Sequence, residues 1–199
     1  MQITNTSIAG RNVVWESILD EIPGGVSVDV TRLDYEASGK EYLPAGTPVY
    51  VDLSTRVAEV CKSVTTCASG TATTLIVPKL HHFKVGDSIS DRKFCRIISA
   101  ITEGTYSDTI TIPSGLVSTV ASGVFIQTTD GTASAYASSL AYTPNGMLKD
   151  AVRIKEGNAD AAIVKMGTAR EDALSFPIPD AYEVPLRGGL YGTSLITLV

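Results

Sequence analysis

Apolar and polar residues alternate with a period of two along much of the chain, the spacing that turns one face of a β-strand to a core and the other to water. Residues 104–115, GTYSDTITIPSG, carry the cleanest pattern: Tyr106, Asp108, Ile110 and Ile112 share one face, and Thr105, Ser107, Thr109 and Thr111 the other. In residues 49–53, Val49, Val51 and Leu53 alternate with Tyr50 and Asp52, and in 147–157 Leu148, Asp150, Val152 and Ile154 fall on one face. Residues 56–66 align Ala58, Val60 and Val64, interrupted by Lys62. A β-branched run ends at Pro78, residues 93–101 (KFCRIISAI) are apolar enough for a central strand, and 124–131 and 160–167 complete the series. Short strands with turns between them predict an all-β body, an antiparallel sandwich or a barrel-like sheet.

Turn chemistry punctuates the pattern. In LPAGTP (43–48) Pro44 and Pro48 pin φ and Gly46 supplies the positive φ of a tight turn, so this segment launches the strand that follows. Gly86-Asp87, Asp130-Gly131 and EGNAD (156–160) mark further turns. One stretch reads as a helix instead. In NVVWESILDE (12–21), Asn12 can cap, Val14/Ile18 and Trp15/Leu19 fall on neighbouring turns, and Pro23-Gly24-Gly25 stops the run. Residues 1–40 are therefore expected to form an N-terminal arm for docking or oligomerisation, with Val14, Trp15, Ile18 and Leu19 as its partner contacts, ahead of a β-rich domain over 41–199. A helix folded back onto its own sheet is the other placement.

Composition narrows the partners. The chain has 199 residues, 19% of them charged, and a net charge of −5, which disfavours nucleic acid because phosphate backbones are held by clustered Lys and Arg. The N-terminus has neither a basic lead-in nor an apolar stretch, and no run approaches the roughly 18 apolar residues of a membrane span, so a soluble chain with no membrane partner is expected.

Candidate chemistry is sparse. Cys61, Cys67 and Cys95 are odd in number and read as reduced thiols; with His81 and His82 they could be assembled into a zinc site, but CKSVTTC is wider than a zinc knuckle. His81 and His82 are the only histidines, and in an extended segment they face opposite ways, which leaves His82 to pack beside Phe83. Asp87, Asp91, Asp108 and Asp130 lack the spacing of a calcium loop and read as turn residues. No nucleophile elbow, phosphate loop or metalloprotease helix occurs. The expectation is a protein that is not an enzyme, with no catalytic residue, no metal and no cofactor.

The order of the motifs carries a resemblance. LPAGTPV, then HHFKVGDSIS, then RIISAITEGTYSDTITIPSGL, then NGMLKDAVRIKEGNADAAIVKMGTAREDAL resembles the head-decoration and head-fibre proteins of tailed bacteriophages, including crAss-like phages, over roughly residues 40–176. The matching positions are Leu43 to Pro48; Phe83, Val85, Gly86 and Asp87; Ile98, Ile101, Tyr106, Asp108, Ile110 and Ile112; Gly146, Leu148, Asp150 and Val152; and Val164, Gly167 and Leu174. The insert TASAYASSLAYTP (132–144), Ala151 and the first 40 residues depart from the family pattern. The resemblance implies a structural virion protein, made in the host cytoplasm and bound as a homodimer or homotrimer to the outer surface of a capsid. Its partners would be the major capsid protein, its own copies and other head-fibre proteins. The alternative is a carbohydrate-binding or adhesin-type β-sandwich, although a single Trp and eight scattered Tyr show no aromatic platform in the sequence; a small hydrolase is a further rival.

Overall fold

The computed structural model describes residues 13–35, 40–91, 95–113, 123–128, 139–188 and 194–199, and its architecture is all-β, as the alternation predicts. In chain order come β1 (Trp15–Glu21), β2 (Val26–Val28), β3 (Tyr42–Leu43), β4 (Pro48–Asp52) and β5 (Val57–Val60). Next are β6 (Ser63–Thr65), β7 (Ala68–Thr71), β8 (Thr74–Pro78), β9 (Ser88–Ser90), β10 (Cys95–Ile97), β11 (Ala100–Glu103), β12 (Ser107–Thr111) and β13 (Val124–Thr128). Last come β14 (Gly146–Leu148), β15 (Val152–Arg153), β16 (Ala159–Ala161), β17 (Ile163–Ala169), a 3-10 turn (Glu171–Ala173), helix α1 (Asp180–Leu186) and β18 (Leu195–Leu198).

Apart from β3 and β15, which pair as a separate two-stranded sheet, the first and last groups interleave into one curled half-barrel sheet, ordered β1-β17-β14-β4-β5-β2-β16, with β18 also on β17. Most pairings are antiparallel, but β2–β5 and β17–β18 are parallel, a departure from the purely antiparallel expectation. The middle group, residues 63–128, is an insertion between β5 and β14. It forms two four-stranded sheets, β10-β9-β13-β6 and β11-β12-β8-β7. Each unit has its own core: Ile22, Val28, Leu43, Val49, Ala58, Leu148 and Ile163 in the half-barrel, and Leu75, Val77, Phe83, Ile89, Ile98, Ile110 and Ile112 in the insertion.

The LPAGTP turn forms as its residues require. Gly46 has φ 77°, Thr47 Oγ1 donates to the Pro44 carbonyl at 2.7 Å, and β4 then buries Val49 and Val51 while Tyr50 points out. A Cβ at Gly46 would overlap the side chains of Leu174 and Val14, so the turn is pinned between two distant segments. The run 93–101 does not become a central strand. Its described part splits into β10 and β11, edge strands of different sheets, with Ile98 buried at the crossing because one apolar residue can anchor the chain where it changes sheet.

The expected N-terminal helix is corrected. Residues 15–21 form β1, an irregular edge strand along β17 whose register shifts at three places. Backbone pairing outweighs the helical stripe here: the Arg170 N–H donates to the Val14 carbonyl at 2.7 Å, and Gly167 leaves the space through which the Ser17 backbone passes. Beyond β1, Ile22, Val26, Val28, Val30 and Leu33 enter the half-barrel core, so the position near residue 40 lies inside that unit. Residues 1–12 lie outside the described residues, as do Asp130, Gly131 and most of the 132–144 insert.

The turn at Gly46 supplies the first test. Gly46→Ala forces a side chain into the left-handed region and against Leu174 and Val14, and it is expected to lower unfolding free energy by about 3 kcal/mol. Urea denaturation measures this; a loss below about 1 kcal/mol contradicts the packing described.

Candidate functional site

The strongest concentration of chemistry lies in the seam between the half-barrel and the insertion. The half-barrel side is the loop after β2. Asp29 Oδ1 accepts the Thr31 N–H at 2.8 Å and the Leu33 N–H donates to the Val30 carbonyl at 2.9 Å, a tight path that sends Leu33 into the core and leaves Asp34 facing the insertion. There the Asp34 N–H donates to the His82 carbonyl at 3.2 Å, and His82 Nδ1–H donates back to the Asp34 carbonyl at 2.9 Å.

Asp108 is the centre of the first cluster. It sits on the inward face of β12 beside Ile110, 1% exposed, where the period-two pattern places it. Lys40 Nζ lies 2.6 Å from Asp34 Oδ2 and 3.4 Å from Asp108 Oδ2; Lys79 Nζ is 3.6 Å from Asp108 Oδ1. His81 Nε2 approaches Asp108 Oδ2 at 3.3 Å, a contact too poorly aligned to count as a hydrogen bond, so both atoms lack a hydrogen-bond partner despite their burial. In the second cluster, the Lys62 ammonium donates to Asp87 Oδ2 at 2.6 Å and to the Arg32 carbonyl at 2.5 Å, and lies 5.7 Å from the centre of the Phe83 ring. Asp87 Oδ2 also accepts the Lys84 N–H at 2.7 Å, and Lys84 Nζ crosses to the Thr31 carbonyl. From the C-terminal side, Tyr182 OH on α1 donates to the Lys62 carbonyl at 2.8 Å and the Pro177 carbonyl accepts from Ser63 Oγ at 2.7 Å.

Hydrogen bonding assigns opposite tautomers to the two histidines. A carbonyl can only accept, so His82 carries its proton on Nδ1; the Phe83 N–H can only donate, so His81 Nδ1 is bare and Nε2 carries the proton toward Asp108. Burial lowers both imidazoles to about 4; Lys40 adds repulsion, opposed at His81 by Asp108 and Asp34 and at His82 by the Asp34 carbonyl. The His81–Asp108 contact is therefore not an ion pair at neutral pH. Burial also depresses Lys62, against the pull of Asp87. On the half-barrel surface, burial and then repulsion from Asp29 raise Glu59, beside a Tyr50–Tyr142 ring stack with centroids 6.1 Å apart and the Arg32 guanidinium 5.5 Å from the Tyr142 ring.

The expected partner contacts are dispersed. Val14 is buried and Trp15 half-buried on the cluster of Met147, Ala169, Leu186 and Ile196; Trp15 Nε1–H donates to the Lys149 carbonyl at 3.0 Å. Ile18 is half-buried on β1, and of the four only Leu19 is widely exposed, at 78%. His82 packs edge-on to Phe176 rather than beside Phe83, whose neighbour is His81. Cys61 and Cys95 are buried cysteines and Cys67 an exposed one; the Cys61 thiol points to the Tyr142 carbonyl. Of the aspartates read as turn residues, Asp87 does hold a turn, but Asp108 is a buried charge centre. Sequence reasoning missed Asp34, Lys40, Lys62 and Lys79 as a group. Two signals were present: Lys62 interrupts an apolar face, and Asp108 shares a face with Ile110 and Ile112.

Among the described residues, no group of three or more His, Cys, Asp or Glu side chains is placed to hold a metal ion, and no helix is long and apolar enough to cross a membrane. A crevice lined by Val60, Cys61, Lys62, Ser63, His82 and Phe176 has room for about one water, not an organic substrate. Compared with protein-family models, curated proteins and solved structures, the chain matches none.

The neutral imidazoles make the seam acid-sensitive. Both titrate near 4 in the folded protein and near 6.5 when unfolded, so their contribution is complete above pH 6.5 and is lost as pH falls toward 4. The loss is about 3 kcal/mol per histidine, with about two protons taken up on unfolding. Urea titrations across this range read the slope. His82→Asn keeps a donor where Nδ1 sits and is expected to halve the slope; a flat wild-type profile refutes the buried neutral pair.

Proposed function

We propose that this protein is a structural virion component, a head-decoration or head-fibre protein that binds as an oligomer to the outside of a tailed-phage capsid and performs no catalysis. One observation carries the reading: most of the residues that bear the resemblance, though not the exposed Val85 and Tyr106, sit where distant segments of the fold are held together. Gly46 fits its turn between Val14 and Leu174, and Gly146 leaves no space for a side chain beside Ile163. Gly167 admits β1, while Asp87 and Asp108 bind the lysines of the seam. Phe83, Ile98, Ile110 and Ile112 fill the insertion core, and Leu43, Leu148 and Val152 that of the half-barrel. A motif set of this kind preserves a rigid body rather than a reactive centre, which is what a protein adding interface to a shell requires.

Such a body docks with little rearrangement and stabilises the assembled shell because it binds that state alone. Its partners would be the major capsid protein and further copies of itself. Of the four anchors expected from the sequence, Leu19 offers apolar surface on edge strand β1, and Val13, 67% exposed, offers a second apolar position ahead of that strand. Purified protein added to undecorated heads of tailed phages from the matching host range is expected to co-sediment, to saturate at a ratio set by capsid symmetry, and to delay DNA release on heating. Failure to bind such heads, together with saturable binding on a glycan array, would transfer the assignment to the carbohydrate-binding alternative.

A further inference from the structure

Lys40, Asp34 and Asp108 bring a primary amine and two carboxyl groups together in the seam. Lys40 is 2% exposed, and its Nζ lies 2.6 Å from Asp34 Oδ2 and 3.4 Å from Asp108 Oδ2. Asp108 is 1% exposed, and its Oδ2 has no hydrogen-bond partner. We propose that this is a modification site made by the chain itself: Lys40 and Asp34 condense into an intramolecular amide, with Asp108 as the proton-transfer group.

The chemistry balances without a co-reactant. A proton passes across the 2.6 Å contact from the Lys40 ammonium to the Asp34 carboxylate, which leaves the amine and the carboxylic acid that condense. The amine lone pair attacks the Asp34 carboxyl carbon and forms the C–N bond. Asp108 Oδ2, already beside Nζ, takes the proton that the nitrogen sheds and returns it to the departing hydroxyl. One water leaves, and Asp108 ends as it began. Holding amine, acid and shuttle within contact distance replaces an encounter in solution and removes its entropic cost from the barrier. The product leaves Asp108 with the Lys79 ammonium and the Nε2–H of His81, so no unbalanced charge is created in the seam.

The neighbouring Lys62–Asp87 pair is equally close, at 2.6 Å, but remains ionic. Its Nζ donates to the Arg32 carbonyl as well, and among the described residues no second carboxylate residue pairs with it to carry protons. The presence of Asp108 beside one lysine and not the other is what separates the two pairs.

The proposal is independent of the virion reading and is tested on the full chain. Denaturing mass spectrometry is expected to give an intact mass one water below that of the sequence. Trypsin is expected to leave residues 33–56 as a single peptide, also one water light, because Lys40 no longer presents a free side chain for cleavage. Lys40→Arg keeps the positive charge and is expected at full mass; Asp108→Asn keeps the side-chain shape without the basic oxygen and is expected to lose most of the cross-link, with folding checked by circular dichroism. A wild-type chain at full sequence mass overturns the proposal whatever the variants do. So does a water loss that leaves cleavage after Lys40 intact, which would be cyclisation of Asp34 onto its own backbone. A cross-link formed to the wild-type extent in Asp108→Asn overturns the role given to Asp108.

Discussion

Charges buried between the half-barrel and the inserted sheets must neutralise one another on the spot, and this requirement organises the whole structure. Each unit has its own apolar core, so apolar burial alone leaves their relative placement open. Polar contacts do not. Asp34, Lys40 and the carbonyls of Thr31 and Arg32 come from one unit; Asp108, Lys79, His81, His82, Asp87 and Lys84 come from the other, and Lys62 lies at the junction. A shift along the seam would strand one or more of these groups without water or partner, at a cost of several kcal/mol each. Buried polar contacts of this kind add little to net stability but admit only one arrangement.

The same logic explains the traffic of the C-terminal segment. After β17 the chain runs through Phe176 and Pro177 across the seam before α1 begins, and there Phe176 packs on His82, Pro177 accepts from Ser63, and Tyr182 reaches the Lys62 carbonyl. It then returns as β18, parallel to β17, in the half-barrel. The insertion is thus clasped by the loop after β2 on one side and by the segment before and within α1 on the other. A body closed in this way presents a fixed outer surface, in keeping with the structural role proposed for it.

The all-β class, the LPAGTP turn and most strand positions were legible because each depends on neighbours in sequence: alternation sets which face is buried, and Pro and Gly set where the chain turns. The inward placement of Asp108 was legible for the same reason, though its meaning was not. Residues 12–21 show the limit. Their apolar spacing satisfies a helix, yet β1 forms because the open edge of β17 and the space above Gly167 lie about 150 residues away in the chain. The division of 93–101 between two sheets is equally non-local, since each half is defined by a different partner strand.

The sequence by itself determined the β architecture, the tight turns and the paucity of catalytic motifs, all of which follow from local periodicity and backbone preference. Only the tertiary structure decided that residues 63–128 are an insertion, that residues 15–21 are a strand, and that Asp34, Lys40, His81 and Asp108 meet. The reason is that charge neutralisation in a low-dielectric interior depends on distances of a few ångströms between residues up to 68 positions apart in the chain, and no local pattern encodes those distances.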